Sequence, residues 1–129
     1  MEKRYSGGCR CGAVRYELVG EPYGVGLCHC TECRRETGSA FLYYADWIPE
    51  RFSKTGEFAT YEGRSFCPRC GGTLFHISDD HVEIALGSLD EAPVAFTPLN
   101  EGWIKRREPW LVAVGHARQC REDIAPSQP

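Results

Sequence analysis

Cysteine placement constrains this chain more than any other feature. The eight cysteines fall as Cys9-x-Cys11, Cys28-x-Cys30-x-x-Cys33, Cys67-x-x-Cys70 and a solitary Cys120. Cysteines two or three positions apart are poor disulfide partners, because the bridge needs Cα separations and torsions that so short a span strains. They are good chelators: zinc takes sulfurs about 2.3 Å away in a tetrahedron, and tight turns supply them in pairs. The start, MEKRYSGGC, carries charges with no apolar h-region behind them. The expectation is therefore a cytoplasmic chain whose thiols bind metal, not a secreted disulfide framework. The spacings of iron–sulfur ferredoxins are absent.

The two groups of thiols read differently. Cys67-Pro68-Arg69-Cys70-Gly71-Gly72 is a zinc knuckle, a tight turn that aims both sulfurs at one point, with glycines to let the backbone curl. Its second pair is expected from Cys9 and Cys11, since residues i and i+2 of a strand end point the same way. Four thiolates make a closed, structural zinc site. The triplet Cys28, Cys30 and Cys33 leaves one position free, as a catalytic zinc does for water or substrate. The alternative is that His29 or Cys120 completes the triplet as a second closed site. His29, set between two ligands, is expected to point away from their metal.

Around these motifs the pattern is mainly β. Val14, Tyr16 and Leu18 alternate with Arg15 and Glu17, the mark of a half-buried strand. Val25–Cys28 is extended, and Thr31–Gly38 reads as a single helical turn with Thr31 as N-cap and Gly38 as stop. Ser39–Asp46 is a buried strand, Phe52, Phe58 and Tyr61 mark further strands, and Thr73–Ile77 pairs with Val82–Leu86 in a hairpin. At 129 residues the length suits one domain; a zinc-binding unit is expected over 1–118 and a flexible tail over 119–129. With 15 basic against 18 acidic residues the net charge is −3, which argues against a nucleic-acid partner. No apolar run approaches the ~20 residues of a membrane span. Lys105-Arg106-Arg107 reads as a solvent face, and His76, His81 and Asp90 as structural residues.

Four segments together resemble the glutathione-dependent formaldehyde-activating (GFA) family: Gly7–Tyr16, Cys28–Arg34, Phe66–Leu74 and Gly87-Ser88-Leu89-Asp90. The resemblance runs from about residue 5 to residue 112. It implies a β-tent fold of small antiparallel sheets, a structural zinc at Cys9, Cys11, Cys67 and Cys70, and a catalytic zinc at Cys28, Cys30 and Cys33. It also implies a carbon–sulfur lyase-type activity, in which formaldehyde and glutathione condense to S-hydroxymethylglutathione. Where the family carries a His-x-Trp element after a proline, this chain reads Pro98-Leu99-Asn100-Glu101-Gly102-Trp103. The expected partners are glutathione or another small thiol and an aldehyde, with homodimerisation open. Arg34, directly after the last triplet cysteine, is expected to grip a carboxylate, and Trp103 to line the substrate groove. The competing reading is a non-catalytic binding module stabilised by two structural zincs. Methionine sulfoxide reduction would need Cys120 as a nucleophile in the groove.

Overall fold

The protein is described by a computed structural model covering residues 2–125 and residue 129. In chain order its elements are β1 (Arg4–Gly8), β2 (Arg15–Val19), β3 (Gly24–Cys28), α1 (Thr31–Thr37), β4 (Leu42–Trp47), β5 (Phe52–Thr55), β6 (Ala59–Tyr61), β7 (Arg64–Phe66), β8 (Thr73–Ile77), β9 (Val82–Ala85), β10 (Asn100–Gly102) and β11 (Arg118–Gln119). Strands β1, β2 and β5 form a small antiparallel sheet in that order. The other strands form one long sheet, ordered β11-β10-β3-β4-β9-β8-β7-β6. The mainly-β expectation holds. The long sheet is antiparallel except at one end, where β10 runs parallel to both β3 and β11. That strand follows β9 through a long irregular stretch instead of a hairpin, which frees it to pair in either sense.

Side-chain alternation explains the sandwiching of the two sheets. In β2, Tyr16 and Leu18 are buried while Glu17 is exposed, as the pattern required. Strand β3 sits between β10 and β4, and Gly24–Leu27 are all buried, as a central strand covered on both faces should be. Its Gly26 is needed for space: a Cβ there would lie 2.5 Å from the Tyr44 hydroxyl. Between the sheets lies a core that includes Val14, Leu18, Trp47, Leu74, Phe75, Val82, Ile84 and Leu86. Phe75 is its hub. The rings of Tyr16, Phe52 and Phe58 meet it edge-on at centroid distances of 6.0, 5.2 and 5.2 Å. Phe58 lies outside any strand, contrary to expectation, but packs on this core all the same.

Other boundaries shift too. The helix is capped by Cys30 rather than Thr31, and β4 begins at Leu42 rather than Ser39. Gly38 does stop the helix, at φ +66° with its N–H on the Arg34 carbonyl. The stretch expected to be a free tail is tied down as far as the description reaches. The Cys120 amide donates to the Glu101 carbonyl at 2.8 Å, the Trp103 amide donates to Glu122, and Ile124 covers Gly102. Residues 126–128 of that expected tail lie outside the described residues. Among the described residues, no helix is long and apolar enough to cross a membrane.

Because Phe75 is fully buried and shared by three aromatic contacts, Phe75→Ala should lower the unfolding free energy by about 3–5 kcal/mol. Urea titration followed by tryptophan fluorescence measures this, and a loss below about 1 kcal/mol would contradict the packing argument.

Candidate metal centres and cleft

Two turns bring the first four thiols together. After β1 the chain doubles back, with the Cys9 amide on the Val14 carbonyl and the Gly12 amide on the Cys9 carbonyl, both at 3.1 Å. Gly12 takes φ +81° to make that turn. Between β7 and β8 the knuckle closes in the same manner, the Gly71 amide donating to the Cys67 carbonyl at 2.7 Å. The sulfurs of Cys9, Cys11, Cys67 and Cys70 then all lie within 4.8 Å of one another. Cys9 and Cys11 are 3.6 Å apart, Cys11 and Cys67 3.7 Å. A tetrahedron with arms of about 2.3 Å has edges of about 3.8 Å, so this cage fits a zinc ion. Backbone N–H groups supply the charge-stabilising contacts that thiolates need. Val14 donates to the Cys9 sulfur and Arg69 to the Cys67 sulfur, each at 3.3 Å. The amides of Gly72 and Cys11 pull the Cys70 thiol down to about 6.

The second group comes from one short segment. Cys28 ends β3, Cys30 caps α1 and Cys33 lies in its first turn. The cap is functional for the helix as well: the Cys30 sulfur accepts the otherwise unpaired Cys33 amide at 3.3 Å. The three sulfurs also lie within 4.8 Å of one another, and neither His29 nor Cys120 joins their group. His29 turns the other way. It is 1% exposed, and its Nε2 lies 2.8 Å from Glu101 Oε1. Glu101 is equally buried and accepts from the Val114 amide and from Gln119 with its other oxygen. This buried pair fastens β10 to the peptide between the first two triplet cysteines. The His29 amide adds a bond to the Gly102 carbonyl at 3.0 Å.

The triplet lines a cleft of about 520 Å³. Leu42 and Tyr44 from β4, Trp103, Arg106, Asp123 and Ile124 line it as well. Trp103 thus lies where expected, held at φ +56° with its indole N–H donating to Asp123 at 2.7 Å. Such a left-handed conformation is costly for a large side chain and persists where the surroundings over-determine it. Arg34 does not line the cleft. Its guanidinium turns to Glu108 at 2.5 Å and to the Arg106 carbonyl at 2.9 Å. The expected carboxylate grip is thus already taken by the chain's own carboxylate.

Residues that local sequence did not single out complete the lining. Arg64 reaches in from β7 and Glu83 from β9. They belong to one chain of contacts in which Arg64 meets Glu36 at 2.5 Å, Glu36 meets His76 Nε2 at 3.2 Å, and His76 Nδ1 meets Glu83 at 2.6 Å. Burial opposes the charged imidazole of His76, but Glu36 and Glu83 on either side raise it to about 9. Asp46, opposite Glu83 in the ladder, is pushed up to about 7, by burial first and by the Glu83 charge next. The neighbouring Cys28 sulfur first, and burial next, push the Cys33 thiol up, and Arg64 opposes them.

Comparison with known proteins bears on the family and the fold. The family model described as "Glutathione-dependent formaldehyde-activating enzyme" matches residues 4–106. A Schizosaccharomyces pombe protein named as an uncharacterized lyase is 30% identical over 76 residues, covering 55% of this chain and 56% of that protein. The chain thus spans little more than half the length of that curated relative. A crystal structure of a Rhodobacter sphaeroides protein superposes with a TM-score of 0.54 at 20% identity, covering 69% of this chain and 91% of that one. That likeness concerns the fold alone.

The His76 contacts imply a pH signature. A histidine whose folded-state pKa is raised contributes stability that is full below its unfolded value of about 6.5 and is lost as pH rises through about 9. The difference in melting temperature between the parent and His76→Gln should therefore be largest near pH 6 and shrink towards pH 9.5. Thermal denaturation across that range checks this; a constant difference would refute it.

Proposed function

We propose, since the chain belongs to the glutathione-dependent formaldehyde-activating enzyme family, that it is a zinc-dependent carbon–sulfur lyase-type enzyme acting on a small thiol, such as glutathione, and formaldehyde or a related aldehyde. The lyase name of the Schizosaccharomyces pombe relative supports the reaction type. In this reading Cys9, Cys11, Cys67 and Cys70 hold a structural zinc, and Cys28, Cys30 and Cys33 hold the catalytic one. The observation that carries it is the asymmetry between the two groups. Four thiols from distant parts of the chain complete one cage, whereas three thiols from one segment line a cleft and, among the described residues, no fourth ligating side chain joins their group.

A zinc ion bound by the triplet would supply Lewis acidity towards a thiol or a carbonyl oxygen, moderated by its three sulfur donors. In the synthetic direction the thiol sulfur bonds to the carbonyl carbon, the carbonyl π pair moves to oxygen, and the thiol proton ends on that oxygen. The lyase direction reverses each step. The chain's own residues prepare the place for this. Tyr44, Trp103 and Ile124 line the same cleft as the sulfurs and give it apolar surface. Arg106, stacked on Trp103 at 5.7 Å, takes over the carboxylate-binding role first expected of Arg34. The His29–Glu101 pair holds the triplet peptide against β10 so that the cleft keeps its shape. A reducing cytoplasmic compartment suits thiols kept as ligands.

The competing reading, a binding module with two structural metals, differs in what each cysteine substitution does. A structural zinc contributes about 10–16 kcal/mol of apparent binding energy, comparable with the stability of a whole domain. Cys67→Ser should therefore leave largely unfolded protein. Cys30→Ser keeps an oxygen able to cap α1, so the fold should survive with the melting temperature within a few degrees of the parent. That variant should nevertheless lose formaldehyde- and glutathione-dependent turnover. In the parent, cobalt placed in the triplet should change its absorption spectrum when glutathione is added. Loss of both metals together with unfolding, and a cobalt spectrum indifferent to thiols, would decide for the binding module.

A further inference from the structure

We infer that Arg64 is a positioning residue for the triplet: its guanidinium, held by Glu36, pins the Cys33 sulfur through an N–H···S contact and thereby sets how firmly a metal is held there. This rests on the reading of the triplet as a metal centre. Arg64 opens β7, which lies four places from β3 in the long sheet, yet its Nη1 stands 3.3 Å from Cys33 Sγ. The same nitrogen lies 2.5 Å from Glu36 Oε1, one helical turn beyond Cys33 on α1. The guanidinium therefore bridges a cysteine and a carboxylate on the same helix face and has little freedom to leave.

Two features set this apart from an ordinary surface ion pair. The group is largely withdrawn from water, with side-chain exposures of 25% for Arg64 and 11% for Glu36. Glu36 is itself braced from behind by His76, which Glu83 holds in turn. A cation so held offsets part of the negative charge that three thiolates accumulate around a divalent metal. Hydrogen bonding to a thiolate also lowers its sulfur lone-pair energy, and contacts of this kind orient metal ligands and tune the metal. Cys33 is the triplet member so treated; Cys30 is served by a backbone amide instead.

The test uses the full chain with zinc kept in the four-thiol cage and cobalt introduced at the triplet. Measured are the sulfur-to-cobalt charge-transfer band, the affinity for cobalt by competition with a chromophoric chelator, and the melting temperature. Arg64→Gln should move the band to lower energy and weaken cobalt binding by about 10–100-fold. Arg64→Lys, which keeps a charge but not the planar guanidinium whose fixed geometry aims Nη1 at both Cys33 and Glu36, should fall between Gln and the parent. A lowered melting temperature with an unmoved band and affinity would show that Arg64 merely braces the helix, and would overturn the inference. Should Arg64→Gln not fold, Arg64→Lys decides alone, and a parent-like band and affinity in it overturn the inference. A parent that takes up no cobalt at the triplet refutes the metal-centre reading instead, which keeps the two failures distinct.

Discussion

Everything in this fold hangs from the place where the end of β1 meets the turn between β7 and β8. The first belongs to the small sheet and the second to the long one, and more than fifty residues of chain separate Cys11 from Cys67. Sulfurs brought to 3.7 Å across such a span cost loop-closure entropy, which only a strong local interaction can offset. A metal ion held by the four sulfurs would be such an interaction, and the sulfur spacings fit a tetrahedral cage. The aromatic core around Phe75 lies between the sheets that this junction joins. Arg15 with Asp90 and the bridge from Gly7 to Leu89 add further ties from the small sheet, to the segment that follows β9.

The cleft depends on a different piece of architecture. Its sulfurs come from one segment, but its walls come from β4, β7, β9, the stretch after β10 and residues 123 and 124. The parallel pairing of β10 with β3 is what carries Trp103 over the triplet. The buried His29–Glu101 pair then holds that pairing in register. A buried pair of this type contributes little net stability compared with an apolar pair of the same size, but it specifies one arrangement. Specification is what a site of three convergent side chains needs.

Both cysteine groups were legible from spacing, and the structure assembles both. Strand β2 was legible from alternation, and the helix stop at Gly38 from the need for a left-handed residue. These are properties of neighbours in sequence: a CxxC turn or a two-residue period carries its geometry with it. The helix cap was missed because cysteine is not an expected capping residue, although the triplet spacing places its sulfur within reach of the Cys33 amide. Arg34 was adjacent to the right cysteine but turned away, because Glu108 and the Arg106 carbonyl, more than seventy positions later, already claim it.

By itself, then, the sequence determined a mainly β chain with a four-thiol cage and a three-thiol segment, since turn geometry and strand alternation are set within a few residues. Only the tertiary structure decided which cations and carboxylates surround those thiols. Arg64, Glu83 and Glu101 have no local signature: Arg64 meets Cys33 from a strand four places away from β3 across the sheet, Glu101 meets His29 from 72 positions away along the chain, and Glu83 is tied into the cleft lining through His76 on the neighbouring strand. The fate of residues 119–125 belongs to the same class: a polar stretch reads as a loose tail until Glu101 and Trp103 offer its backbone somewhere to pair. Charge and hydrogen-bonding partners are selected by distance in space, and spatial distance is settled only when the long sheet has assembled.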